Sequence, residues 1–247
     1  MPEENHHWAE LAQNTEKGRT ILVLGPEAVT MLRDGVAVSL QSLLIEYLTA
    51  ELQGRGHVVE QIGKPSLAYI AKQLEDVMFL QGVQRKRIFT QEDARVELKA
   101  CIVEFYKRYD FTSFPVYRQL ARMPFHFIVE TSPTLYLEHA LNGENKFDAK
   151  TFFYHYANPT HNNSVKIADQ EIREDAPLIY QLFGSLKQPD SMVVTERDQL
   201  SFLDAILQQE HKAGIPNSVA IHFTSVKNGG AAQFDKTFVF LGFDFNE

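Results

Sequence analysis

Apolar and polar positions along this chain alternate between two periods. Short, mostly apolar runs occur at 21–24, 125–129, 178–182 and 237–241, and such runs, bounded by turn residues, predict buried strands. Between the first two, apolar residues recur at helical spacing. Val38, Leu40, Leu43, Leu44, Tyr47, Leu48 and Leu52 predict a helix over 38–52, ended by Gly54, Arg55 and Gly56. Ser66 opens a second helix with Leu67, Ile70, Ala71, Leu74, Val77 and Met78, and a third covers 91–109 through Val96, Leu98, Cys101, Ile102 and Phe105. Pro115 opens a short helix with Tyr117 and Leu120. Further on, the pattern predicts a helix with Leu137, Glu138 and Leu141, a strand at 151–154, and an irregular Asn- and Asp-rich stretch at 157–177. A helix capped by Thr195 carries Leu200, Leu203, Ile206 and Leu207; a strand at 218–223 and a turn at 228–230 follow. The polar first 19 residues predict a short helix or an arm.

Strands separated by helices predict an α/β fold with a doubly wound, mostly parallel (Rossmann-like) sheet. A single crossover needs one helix, so the helical block at 38–120 is expected to be an inserted lobe within one domain spanning 1–247. The chain stops just after a core strand, at Phe245, Asn246 and Glu247, which suggests a fragment of a longer multidomain protein. Several strands end in small or polar residues, namely Gly25, Thr131, Gly184 and Gly242. In a parallel sheet those ends share one edge and surround one crevice.

Composition narrows the function classes. Hydrophobic residues make up 44% and charged residues 23% of the 247, enough to bury a sizeable core. Acidic side chains outnumber basic ones, 32 to 24, and the net charge of −8 argues against nucleic acid as a partner. The one clear basic run, Arg85-Lys86-Arg87, reads as a solvated helix end. Cys101 is the only cysteine, so no intramolecular disulfide can form, and its apolar helical setting fits a buried thiol. The polar N-terminus and the lack of a long apolar stretch predict a cytoplasmic protein with no membrane partner. The nine histidines form no metal-ligand spacing, so no metal is expected. His155 and His161 are six apart in a loop with no partner ligands; His126 and His222 sit in apolar runs, as core histidines do.

The most informative segment runs from Pro124 to Leu141, where an apolar strand meets the polar turn Glu130-Thr131-Ser132-Pro133 and then a helix. That frame suits a ligand site, but its turn offers only hydroxyls and one carboxylate. Helix capping is the structural alternative for Thr131, Ser132 and Thr134, with Glu138 buried against the cap. Gly25-Pro26-Glu27 reads as a strand-to-helix turn or as a nucleotide loop. Ser185 follows Gly184 without the surroundings of a nucleophile elbow.

Four stretches carry a family resemblance: LVLGPEAV, PVYRQLARMPFHFIVETSPTLYLEHAL, PLIYQLFGSLKQPDSMVVTERDQLSFL and FVFLGFDFNE. In this order they resemble the bacterial sirtuin-like domains common in phage-defence proteins. The first resembles that family's Gly-Ala-Gly loop and the second a strand with a Thr-Asn-aromatic-Asp turn. The third resembles a strand ending in His-Gly and the fourth a final strand with a Gly-x-x-x-Asp region.

The resemblance implies cleavage of NAD, in which an Asn holds the ribose and a His handles protons. The Asn position is Ser132 here, the Asp position is Thr134 and the His position is Phe183. A phenyl ring takes no proton, and loss of general-base help costs about 10²- to 10⁴-fold. The loop's second glycine corresponds to Glu27, and Pro26 removes one N–H donor. The expectation is a degenerate, catalytically silent domain acting as an assembly or regulatory module, with protein partners or self-association. No cofactor is expected. Two alternatives stand beside it: an NAD glycohydrolase with Glu130 or Glu27 as a relocated carboxylate, and a sensor of NAD or ADP-ribose. For any nucleotide the candidate binding residues are Gly25, Glu27, Thr131, Ser132, Gly184, Ser185 and Gly242.

Overall fold

The computed structural model describes residues 2–58, 65–85, 88–146, 148–167, 172–207, 214–223 and 236–243. Strands β1 (Thr20–Leu24), β4 (Phe127–Glu130), β5 (Lys150–Phe153), β6 (Leu178–Gln181) and β7 (Thr237–Leu241) form one sheet in the order β5-β6-β4-β1-β7. Every pairing in it is parallel. A separate antiparallel hairpin joins β2 (Thr30–Arg33) to β3 (Val36–Ser39). The fold is α/β and Rossmann-like, as the strand-helix order predicts.

Successive side chains of a strand point to opposite faces. Leu22, Leu24, Ile128 and Ile179 enter one core, whereas Ile21, Val23, Phe127, Val129, Leu178 and Tyr180 enter the other. Helices cover both faces, so β1, β4 and β6 are apolar apart from Thr20, Glu130 and Gln181, as suits buried parallel strands. The first core holds α2 (Leu40–Gly54), α3 (Leu67–Arg85), α4 (Gln91–Tyr106), α5 (Pro115–Ala121) and α6 (Tyr136–Gly143), which meet it through residues such as Leu48, Leu74, Leu98, Tyr117 and Leu137. The second core takes Phe202 and Ala205 of α8 (Glu196–Leu207) and Val219 of α9 (Asn217–Ala220). Two further helices are α1 (Pro2–Glu16) and α7 (Pro159–Ser164). No helix among the described residues is long and apolar enough to cross a membrane.

Helix starts follow side-chain chemistry. Thr90 and Asp93 form a reciprocal capping box on α4. Thr195 caps α8 as expected: its Oγ1 accepts from Asp198 N at 3.2 Å, and Asp198 Oδ2 accepts from Thr195 N at 3.1 Å.

Several expectations need correction. The helix expected from Val38 begins at Leu40, because Val38 belongs to β3 and Ser39 supplies the cap. Gly25-Pro26-Glu27 leads into the hairpin rather than a helix. The stretch 157–177 contains α7, started by Pro159 and capped by the Asn158 side chain on His161 N. Residues 218–223 form no strand; after Pro216 the chain turns into α9 and a 3₁₀ turn, Ile221–Phe223, because Val219 is buried by helical packing. The turn at 228–230, Lys86, Arg87 and residues 245–247 lie outside the described residues.

Candidate functional site

A crevice of about 310 Å³ opens at the carboxyl edge of the sheet. That volume is at the small end for ligand pockets. The parallel strands bring Pro26, Thr131, Ser132, Pro133 and Phe183 to its lining, after β1, β4 and β6. Leu40 and Leu44 of α2, Leu67 of α3, Ile102 and Tyr106 of α4, and Met192 make an apolar wall. Gln41, Ser66, Glu196 and Gln199 add polar groups. Glu196 is the one charged group among these lining residues.

The sequence-derived site residues divide here. Thr131, Ser132 and Phe183 line the crevice, whereas Gly25, Glu27, Thr134, Gly184, Ser185 and Gly242 do not. Ser185 is wholly buried; its N–H donates to Ser191 Oγ at 2.9 Å and its Oγ accepts from Lys187 N. Gly184 has φ +83°, and a Cβ there would overlap the Ser191 carbonyl, so glycine is required at that bend. Phe183 packs edge-on against Phe202 at 5.1 Å, which ties it to the second core.

The loop after β1 is closed by its own hydrogen bonds. Gly25 N donates to Leu241 O at 2.8 Å, Glu27 N to Gly242 O at 3.1 Å, and Ala28 N to Gly25 O at 3.3 Å. Pro26 has no N–H. A phosphate cradle needs free N–H groups at a helix start; here the donors are engaged and a hairpin occupies the helix's place.

Below the crevice lies a buried polar network that the pattern of the sequence did not reveal. Glu130, the last residue of β4, is 1% exposed. Tyr117 Oη donates to its Oε1 at 2.8 Å, and Oε2 has no partner in the structure. Burial pushes the Glu130 carboxyl up to about 8 and the Tyr117 hydroxyl well above its usual range. Gln181 stands beside Glu130 in the β4–β6 register and is fully buried; its Oε1 is also unpartnered. Its Nε2 donates to the carbonyls of Thr134 and Ser132, holding the crevice turn. Glu130 Oε2 and Gln181 Oε1 are both buried acceptors without a donor, and a protonated Glu130 carries a hydrogen that its ionised form lacks. The chain continues outward: Thr134 Oγ1 lies 3.4 Å from Tyr117 Oη, and Ser132 Oγ donates to Thr134 Oγ1 at 3.2 Å. The sequence signal that could have found this network is a carboxylate closing a wholly apolar strand beside a strand that closes on Gln.

Two capping expectations fail. The N-cap of α6 is Leu135, with no side-chain cap, because Thr131 Oγ1 turns back to Leu24 O at 3.0 Å and Ser132 pairs with Thr134. Glu138 is not buried against a cap; it pairs with Lys187 at 3.0 Å near the surface. Cys101 is half-buried, and its Sγ donates to Tyr47 Oη at 3.5 Å.

The crevice lies at the carboxyl edge of an open parallel sheet, the place where α/β folds of this kind bind ligands. The family model for the SIR2-like domain matches residues 134–247, so this part of the chain is similar to a sirtuin-like domain. The matched span runs from the crevice turn through α6, β5, β6, α8 and β7. No curated protein matches the chain.

Proposed function

We propose that this chain is a catalytically silent sirtuin-like domain that serves as an assembly or regulatory module in antiphage defence, with the crevice as its regulatory site. The observation that carries this reading is the closed loop at Gly25–Ala28, whose N–H donors are engaged within the protein. Ser132 and Phe183 at the crevice support it, since neither replaces a His as a proton acceptor. The relocated-carboxylate alternative is disfavoured by Glu130, which is sealed in the interior with its proton retained at neutral pH. Glu27 is not part of the crevice lining.

A sensitive assay of nicotinamide release from NAD tests the proposal. The expected result is no release above the uncatalysed background. Turnover that disappears in Ser132→Ala or Glu27→Gln would overturn it.

A further inference from the structure

Several hydroxyls at and beneath the crevice accept hydrogen bonds from its side rather than donate to it. Tyr117 has a single hydroxyl proton and gives it to Glu130, so at its contact with Thr134 it accepts. Thr134 accordingly donates inward, and Ser132 donates to Thr134. All three hydroxyl protons run away from the crevice, and Ser132 Oγ, which accepts from Thr134 N at 3.5 Å, keeps one further lone pair at the lining. Thr131 behaves alike, giving its proton to Leu24 O.

The rim backbone shows the same bias. The N–H groups of Thr131, Met192, Val193 and Val194 are engaged by Leu24 O, Pro189 O, Phe183 O and Asp198 Oδ2. Pro26 and Pro133 have none. At the start of α8, Thr195 N and Asp198 N are taken by the cap. Ser66, Gln41 and Gln199 can still donate, but no Lys, Arg or His stands among the described lining residues, and Glu196 adds negative charge.

We propose that this crevice binds a small, phosphate-free nitrogen compound that is neutral or cationic and presents N–H donors, with its apolar body against Leu44, Ile102 and Met192. The proposal rests on reading the crevice as a non-catalytic ligand site and names the ligand class for it. A dinucleotide would bring two phosphates to a site whose described lining has no cationic side chain and whose only charge is the Glu196 carboxylate, an arrangement electrostatics penalises.

Benzamidine, benzamide and benzoate share a shape and differ in charge and donors, which makes them suitable probes. Titration calorimetry on the full chain should show benzamidine and benzamide binding and benzoate failing to bind. Inorganic pyrophosphate and NAD should not compete. Ser132→Ala should weaken benzamidine about 3- to 10-fold through the lost acceptor. Glu196→Gln should weaken benzamidine about 2- to 5-fold, as suits an exposed charge, and leave benzamide unchanged. The proposal is overturned if benzoate binds as well as benzamidine, if pyrophosphate displaces it, if no probe binds, or if both substitutions leave affinity unchanged. Pyrophosphate or NAD binding without turnover would sink this inference alone, whereas NAD turnover would sink the silent-domain reading.

Discussion

Glu130→Gln will flatten a pH dependence of stability worth about 1.4 kcal/mol per pH unit. The carboxyl titrates at about 8 in the folded protein against an ordinary 4.5. Below pH 4.5 both states carry the proton and the contribution is complete. As pH rises from 4.5 towards 8 the unfolded chain releases the proton and the folded chain does not, so stability falls through this window and levels off above 8. The total loss is several kcal/mol, a large share of a typical domain's stability. A glutamine amide reproduces the uncharged state: its oxygen accepts from Tyr117 and it carries no ionisable proton. Urea denaturation of both proteins at pH 5, 6, 7 and 8 measures the difference. It should widen steadily in favour of Glu130→Gln, while other titrating groups, such as the buried Glu75, cancel between the two. Parallel curves would mean that Glu130 is ionised in the folded state at neutral pH.

Gly242→Ala should be strongly damaging for a single added methyl. Gly242 has φ +76°, and a Cβ there would overlap the backbone nitrogen and Cα of Ala28. The added strain combines a left-handed backbone with a clash that no side-chain rotation relieves, on the order of 3 kcal/mol or more. Gly35→Ala is the control. It has φ +80° but meets nothing within 4 Å, so its cost is the backbone strain alone, about 1 kcal/mol. Thermal unfolding should place Gly242→Ala well below Gly35→Ala; equal midpoints would show that the turn after β7 yields without cost.

The parallel sheet is readable from the sequence because its central strands β1 and β4 and their neighbour β6 are mostly apolar on both faces, and the helices between β1 and β4 because their apolar stripes keep a strict period. The β2–β3 hairpin is missed for a local reason. Asp34 and Gly35 have φ 53° and 80°, the two positive angles of a tight hairpin turn, and Asp-Gly between apolar residues is a strong signal for it. Val38 also fits the period of the following helix, and that coincidence hides the strand. Residues 218–223 mislead in the opposite direction: an apolar run of that length suits a strand, and only Pro216 and the packing of Val219 decide for helix. At the crevice, the shared edge of Thr131, Ser132 and Phe183 follows from strand order. The spread of Gly25, Glu27, Gly184, Ser185 and Gly242 away from the lining does not, because it depends on which backbone donors the turns use internally. Tyr117 and Gln181 are invisible as site partners, since their roles arise from strand register and from a helix packed across the sheet.

The place of β1 between β4 and β7 bears on how the chain is made. Thr20 pairs with Thr237 and Leu24 with Leu241, so one side of this early strand waits for residues near the far end of the sequence. Closing so distant a contact is entropically slow. During synthesis the helices after β1 can assemble first, while one edge of β1 stays open to the ribosome's surroundings until β7 emerges.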